Sequence, residues 1–249
     1  MIIIKTDAEI EIMREAGRIV AMAHDAVRKA IKVGISTKEL NDIAAHVIKS
    51  YNAIPSFKGY NGFAGEICAS VNDEVIHGIP SKHKILADGD IVKIDIGALY
   101  KGYHGDSAKT HTVGNVSSLA ADLIDITKKS FYEAIQFAKE GYRLNDISSA
   151  VEKIVVQNGF SVVRDYVGHG VGRDLHEDPE VPNYDRKHHG PRLQKGMVLA
   201  IEPMINAGSA NVKTLDDGWT VVTCDKSLSA HYEHTIAITD GEPIILTAL

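Results

Sequence analysis

Four carboxylates and one imidazole in this chain of 249 residues are of the types that hold and use a divalent cation. Two of the acids, Asp95 and Asp106, lie within KIDIGALYKGYHGDSAKT, Lys93 to Thr110. Val92, Ile94 and Ile96 share one face there, and Ile91, Lys93 and Asp95 the other, which is a strand alternation. Tyr100-Lys101-Gly102 supplies a turn, with glycine where a positive φ is needed. Folding about that turn brings Asp106 beside Asp95, directly opposite or one position off depending on whether the turn carries a bulge. Like charges facing each other across strands are destabilising, so the pairing asks for a compensating cation. Two solvated strand-end acids would give the same pattern.

Glu202 ends the apolar run Val198-Leu199-Ala200-Ile201, and Glu233 heads His234-Thr235-Ile236-Ala237-Ile238. Singly, each could reach water. If the two halves of the chain face each other, four carboxylates converge that could not all stay ionised unaided, and two divalent cations would nearly neutralise them. His169, between Gly168 and Gly170, is the natural fifth ligand, since glycines on both sides let the backbone turn sharply and present the ring. A histidine tolerated in a flexible turn is the plainer alternative. Carboxylates with one imidazole do not make a structural zinc site, which favours cysteines. They suit Mn, Fe, Co or Zn in a catalytic pair. His77 and His176 sit in loops, where catalytic side chains concentrate, although a lone loop histidine is also simply solvated. His24, His46, His83, His188 and His189 are assigned to solvent. His104, His111, His231 and His234 lie close to the proposed ligands and could support them.

The elements that must position these residues follow from capping and periodicity. Thr6-x-x-Glu9 opens a helix whose stripe runs Ile12, Ala16, Ile19, Ala23, Val27 and Ala30, up to Gly34. Ser36-x-x-Glu39 opens a second, through Tyr51. A glycine-aromatic stretch from Phe57 to Phe63 and a strand from Ile67 to Val71 precede the hairpin. The plan then repeats. Leu119, Leu123, Ile126, Ser130, Ala134 and Phe137 trace a third helix ended by Gly141, and Leu144-Asn145-Asp146-Ile147 echoes Leu40-Asn41-Asp42-Ile43. Strands are expected at Ser161 to Val167, Met197 to Met204, Thr220 to Thr223 and His231 to Thr239, with a long loop from Gly168 to Gly196. The reading is one α+β domain over 1–249, with duplicated helix–helix–strands halves at about 1–114 and 115–249.

Composition excludes several classes of partner. A hydrophobic content of 44% with 24% charged residues is ordinary for a globular protein. A net charge of -6 argues against nucleic acid or an anionic membrane, both of which want a basic surface. No run is long enough to span a membrane, and Met1-Ile2-Ile3-Ile4 meets Lys5 too soon to be a signal peptide. Cys68 and Cys224 lie far apart, as reduced thiols do. The cytoplasm and a monomeric state are the expectations.

Taken together, NDEVIHGIP (72–80), KIDIG (93–97), GDSAKT (105–110), GHGVGRDLHEDP (168–179), GMVLAIEPM (196–204) and YEHT (232–235) resemble the type I methionine aminopeptidases over essentially the whole chain. The resemblance implies the pita-bread fold: pseudo-twofold halves forming a curved antiparallel sheet covered by helices. It implies Asp95, Asp106, His169, Glu202 and Glu233 as ligands of two divalent ions (Co, Mn, Fe or Zn), with Asp106 and Glu233 bridging. It further implies attack of a metal-bound hydroxide on the first peptide carbonyl, Glu202 as general base, and His77 and His176 at the scissile amide. Phe57, Tyr60, Phe63, Cys68, Leu175 and Trp219 match the methionine pocket. The substrate would be the initiator methionine of nascent chains, at the ribosome, when the second residue is small. Leu175 stands where many relatives have phenylalanine, and GDSAKT departs from the commoner threonine-rich form, departures that leave the ligands intact and bear on pocket shape and inhibitor preference. A proline-specific peptidase on the same scaffold is the alternative, and a non-enzymatic binding module a third.

Overall fold

Two capping boxes start the first two helices. Thr6 and Glu9 satisfy each other's backbone N–H groups ahead of α1 (Asp7–Ala30), and Ser36 and Glu39 do so ahead of α2 (Thr37–Ser50), as the spacing predicts. In the computed structural model, which describes residues 1–249, there follow β1 (Ile54–Pro55), β2 (Cys68–Val71), β3 (Glu74–Ile76), β4 (Ile91–Tyr100) and β5 (Tyr103–Thr112). The second half opens with α3 (Ser118–Ala134) and α4 (Leu144–Gln157). Its strands are short: β6 (Ser161–Val162), β7 (Gly168–Gly170), β8 (Glu177–Val181), β9 (Val198–Ile201), β10 (Met204–Asn206), β11 (Val212–Thr214), β12 (Val221–Thr223), β13 (Ser229–His231), β14 (His234–Ala237) and β15 (Ile244–Ile245).

Every strand pair is antiparallel. β4 joins β1, β2 and β5, and β12 joins β11 and β3. The other two ladders run β13-β10-β6 and β15-β14-β9-β7-β8. Each helix pair covers its own core. Val92, Ile94 and Ile96 pack under Ile19 and Val27 of α1 and Leu40 and Ile48 of α2. Leu199, Ile201, Ile205 and Ile236 pack under Leu123 and Phe131 of α3 and Val151 of α4. The helix-facing residues of β4 are the predicted Val92, Ile94 and Ile96, which leaves Lys93 and Asp95 on the far face. On α3 the stripe differs at its start: Leu119 is exposed and the buried face runs through Thr127 and Phe131.

The strands expected at Met197 to Met204 and His231 to Thr239 are each broken. Pro203 has no N–H to donate to a ladder, so β9 stops at Ile201 and the chain re-enters a different ladder as β10. Tyr232 and Glu233 likewise separate β13 from β14, their N–H groups going to the carbonyls of Pro203 (3.2 Å) and Ala108 (2.8 Å). Of Ser161 to Val167 only the first two residues form strand, the Val163 N–H still donating to the Met204 carbonyl (3.0 Å). The segment from Gly168 to Gly196, expected as loop, contains β7 and β8.

Candidate active site

The hairpin fixes the first two acids. Lys101 and Gly102 both have positive φ (48° and 83°), the two-residue turn that matches strand twist. Tyr100 therefore pairs with Tyr103, which sets Gly97 opposite Asp106 and Asp95 opposite Ala108. The aspartates are thus diagonal neighbours on one face, two residues apart in register rather than opposite or one off. No bulge shifts them, because the tight turn sets the register. Cys68 of β2 lies directly across from Asp95 on its other side.

The second two acids sit at corners. Glu202 follows β9 and Glu233 precedes β14, at the points where the chain passes between ladders. Hydrogen bonds across the halves place Glu233 beside β5. Thr110 Oγ1 donates to the His231 carbonyl (2.8 Å) and accepts from its N–H (2.9 Å). The Asp106 N–H donates to Thr235 Oγ1 (3.1 Å), whose hydroxyl donates back to the Asp106 carbonyl (2.7 Å). His24, expected in solvent, is buried on α1, and its Nε2 bonds the Ser107 carbonyl at 2.8 Å. It ties the helix to the strand that carries Asp106.

His169 is on β7, between β9 and β8 in the five-stranded ladder, paired with Ala200. Its glycines do not serve a sharp turn. A Cβ at Gly168 would meet the Ala200 carbonyl oxygen at 2.3 Å, and one at Gly170 the Asp178 carbonyl oxygen at 2.2 Å. They are small because neighbouring backbone approaches that closely. The ring's Nδ1 lies 2.9 Å from the Gly170 carbonyl. That bond puts the proton on Nδ1 and leaves the Nε2 lone pair facing Glu202 Oε1 at 3.4 Å.

Asp106, His169 and Glu233 each bring a ligand-type atom within 4.8 Å of the other two, and Asp95 and Glu202 line the same cavity. Burial pushes all four carboxyls up. Asp95 reaches about 8, the Glu202 charge adding to burial. Asp106 is raised by burial and then by Asp95, and Glu202 and Glu233 by burial and then by Asp106. Burial, with His176 nearby, holds His169 down at about 3, so its contact with Glu202 is no ion pair. Asp95 Oδ1, Asp106 Oδ1 and Glu233 Oε1 are buried without a hydrogen-bond partner. Acceptors crowded on acceptors and an imidazole lone pair are costly unless a proton or cation lies among them. An oxygen-rich set with one nitrogen is what a hard or borderline divalent ion takes, so the residues present fit such an ion.

Beside the acids the cavity becomes apolar. Phe57, Phe63, Cys68 and Leu175 form one buried cluster against which Trp219 packs, and the Phe63 and Trp219 rings meet edge-on at 5.1 Å. Burial, then Asp95, pushes the Cys68 thiol up, so it stays protonated. Tyr60 lies at the exposed rim, its hydroxyl 2.7 Å from His176 Nδ1. The His176 and His169 rings are 4.2 Å apart. His77 has a left-handed backbone (φ 58°), an uncommon conformation for a residue other than glycine, and its ring stands edge-on to Tyr166 and Trp219. Burial lowers it to about 4. The residues assigned in the sequence to the cation, the amide and the methionine slot thus all border one cavity of about 300 Å³. Asn61, which also lines it, was missed. Its only trace is its place beside Gly62 in the aromatic stretch, where asparagine tolerates its φ of 46°. Of the four supporting histidines, His231 comes within 3.6 Å of Glu202 Oε2. His104 bonds Ser56 and His234 bonds Thr247. His111 lines a separate cleft with Lys109.

No helix is long and apolar enough to cross a membrane, and both cysteines are free, Cys68 buried and Cys224 exposed. Residues 11–240 match Metallopeptidase family M24. The chain is 60% identical over 247 residues to Methionine aminopeptidase 1 of Bacillus subtilis, covering 99% of each. It superposes on the crystal structure of methionine aminopeptidase from Thermotoga maritima with a TM-score of 0.98 and 46% identity, each covered in full (100% and 100%). The prolidase of Pyrococcus horikoshii gives a TM-score of 0.78 at 27% identity, with 98% of this chain matching 63% of that one.

Proposed function

The chain belongs to metallopeptidase family M24, and from that premise we propose that it removes the N-terminal methionine of peptides in a metal-dependent hydrolysis. Its fold is the pita-bread arrangement shared with methionine aminopeptidases and prolidases. The observation that carries the reading is the adjacency of two unlike surfaces. Buried carboxylate oxygens without partners adjoin a slot of Phe57, Phe63, Cys68, Leu175 and Trp219, and a thioether side chain wants such an apolar, sulfur-tolerant slot. Asp95, Asp106, His169, Glu202 and Glu233 would hold two divalent ions (Co, Mn, Fe or Zn). Such ions, when bound, supply Lewis-acid polarisation of a carbonyl and bring the pKa of water to around 7.

The remaining roles belong to the chain. Glu202 takes the proton of the attacking water as general base. Tyr60, whose phenol is neutral at pH 7 like any tyrosine's, donates to His176 Nδ1 and so leaves the Nε2 proton of His176 for the scissile amide oxygen. His77 is neutral at pH 7 and contacts the same amide from the other wall. The slot accepts methionine, with Tyr60 at its mouth and Asn61 beside it, and substrates have a small second residue. Nascent chains emerging from the ribosome in the cytoplasm are the source of substrate, and residues 1–249 act as one monomeric catalytic domain built of halves 1–114 and 115–249. The test pairs metal analysis with hydrolysis of Met-Ala-Ser. Release of methionine that stops with a chelator and returns with added cation supports the reading. Preference for an Xaa-Pro bond would move the protein to the proline-specific branch, and metal-replete protein that cleaves neither peptide would sink both.

A further inference from the structure

The ion pair between Lys5 and Glu177 lies outside the cavity and has no part in the chemistry above. Both side chains are almost fully buried, 3% and 4% exposed, and Lys5 Nζ donates to Glu177 Oε2. Burying two charges is expensive and seldom adds stability beyond what apolar groups of the same size would give, so the pair asks for another reason. Lys5 is anchored independently: its N–H donates to the Gly196 carbonyl (2.8 Å) and its Nζ also to Ile3 (3.1 Å).

Glu177 opens β8 and pairs with Gly170, the residue after His169. His176 precedes it, and successive side chains of an extended chain point to opposite faces. His176 accordingly lines the cavity while Glu177 meets Lys5. The Glu177 carboxylate also fills the inside of the loop that ends in His176. A Cβ on Gly172 would meet its Oε1 at 2.1 Å, and the Asp174 N–H points to the same oxygen at 3.4 Å. The Gly172 carbonyl accepts from the His104 N–H at 2.9 Å, which closes the loop onto β5.

We infer that Lys5 and Glu177 form a positioning pair that fixes the His176 imidazole against the scissile amide from the far side of the strand. Because His176 acts on the amide and not on the methionine side chain, the pair governs turnover rather than affinity. This rests on the aminopeptidase reading. Lys5→Met is expected to lower kcat on Met-Ala-Ser by about 10- to 100-fold, in keeping with the sensitivity of catalysis to small displacements, with KM within about twofold of wild type. Lys5→Arg should restore most of kcat. The double variant Lys5→Met/Glu177→Met replaces the pair with apolar groups, an exchange that often leaves stability unchanged or improved. It should stay folded by calorimetry and still show the lowered kcat. In nuclear magnetic resonance the His176 ring signals should move in both variants. A folded double variant with wild-type kcat, or a loss confined to KM, would overturn the pair's role while wild-type activity left the function standing. Failure of wild type to release methionine would instead count against the function itself.

Discussion

The two halves each contribute two acids by unlike means. In the first, Asp95 and Asp106 stand on one unbroken hairpin of ten paired residues an arm, so a short aspartate on a rigid face is already in place. In the second, Glu202 and Glu233 stand at corners between strands of three or four residues, and Glu233 is brought to the aspartates by the hydrogen bonds that reach β5. The contrast separates acids placed by local structure from acids placed by docking. A hairpin can form from neighbouring residues, whereas contacts distant in sequence wait for loop closure.

The largest test removes one acid from each side. Asp106→Ala and Glu233→Ala should both lose bound cation by metal analysis, and turnover should fall by more than the about 10²- to 10³-fold that a single transition-state donor is worth. If either variant kept both, the shared centre would be wrong. A smaller effect sharpens the contrast from the second half. Gly170→Ala places a methyl against the Asp178 carbonyl and should cost about 1–3 kcal/mol by denaturant unfolding, displacing His169 and weakening cation affinity. The hairpin's amide protection in hydrogen exchange should not change, and its loss would show that the halves are not separable.

The smallest effect is a pH slope. Burial lifts Asp95 to about 8 in the folded chain, against about 4 when unfolded. A carboxyl raised in this way supports the fold while protonated and withdraws that support as pH climbs through its folded value. Histidines held low by burial act in the opposite sense, but only below about 6.5, where unfolded imidazoles take up protons. From about pH 6.5 to about 8 the four raised carboxyls act against one opposing group, the buried ammonium of Lys93, which falls to about 7, and they outnumber it. Chelator-treated protein should lose melting temperature across that range, and Asp95→Asn should lose less. Equal slopes in scanning calorimetry would mean that Asp95 is ionised throughout.

The same contrast explains what could be read from the sequence. Capping boxes and the two-period alternation of β4 are local signals, so α1, α2 and the hairpin were legible, whereas the lining of the cavity, Asn61 apart, was legible through the resemblance of the motifs. The register of Asp106 was not, because it depends on whether two residues or three form the turn. The breaks after Ile201 and His231 were missed for a related reason. Apolar residues resume beyond both points, at Met204 and at Ile236, and only the competing ladders, together with Pro203, decide where pairing stops. Gly168 and Gly170 read as flexibility, although they answer to carbonyls of β8 and β9 that no local pattern reveals. His24 looked like a surface residue because its partner, Ser107, is distant in sequence.

The bonds from Thr235 to Asp106 and from Glu233 to Ala108 have a consequence for the protein's own synthesis. A growing chain translated only as far as residue 230 possesses its hairpin, both aspartates and His169, yet lacks the glutamate and the threonine that complete the ring. On the proposed ligand set such an intermediate lacks one of its five ligands, so cation binding and hydrolysis would wait until those late residues emerge.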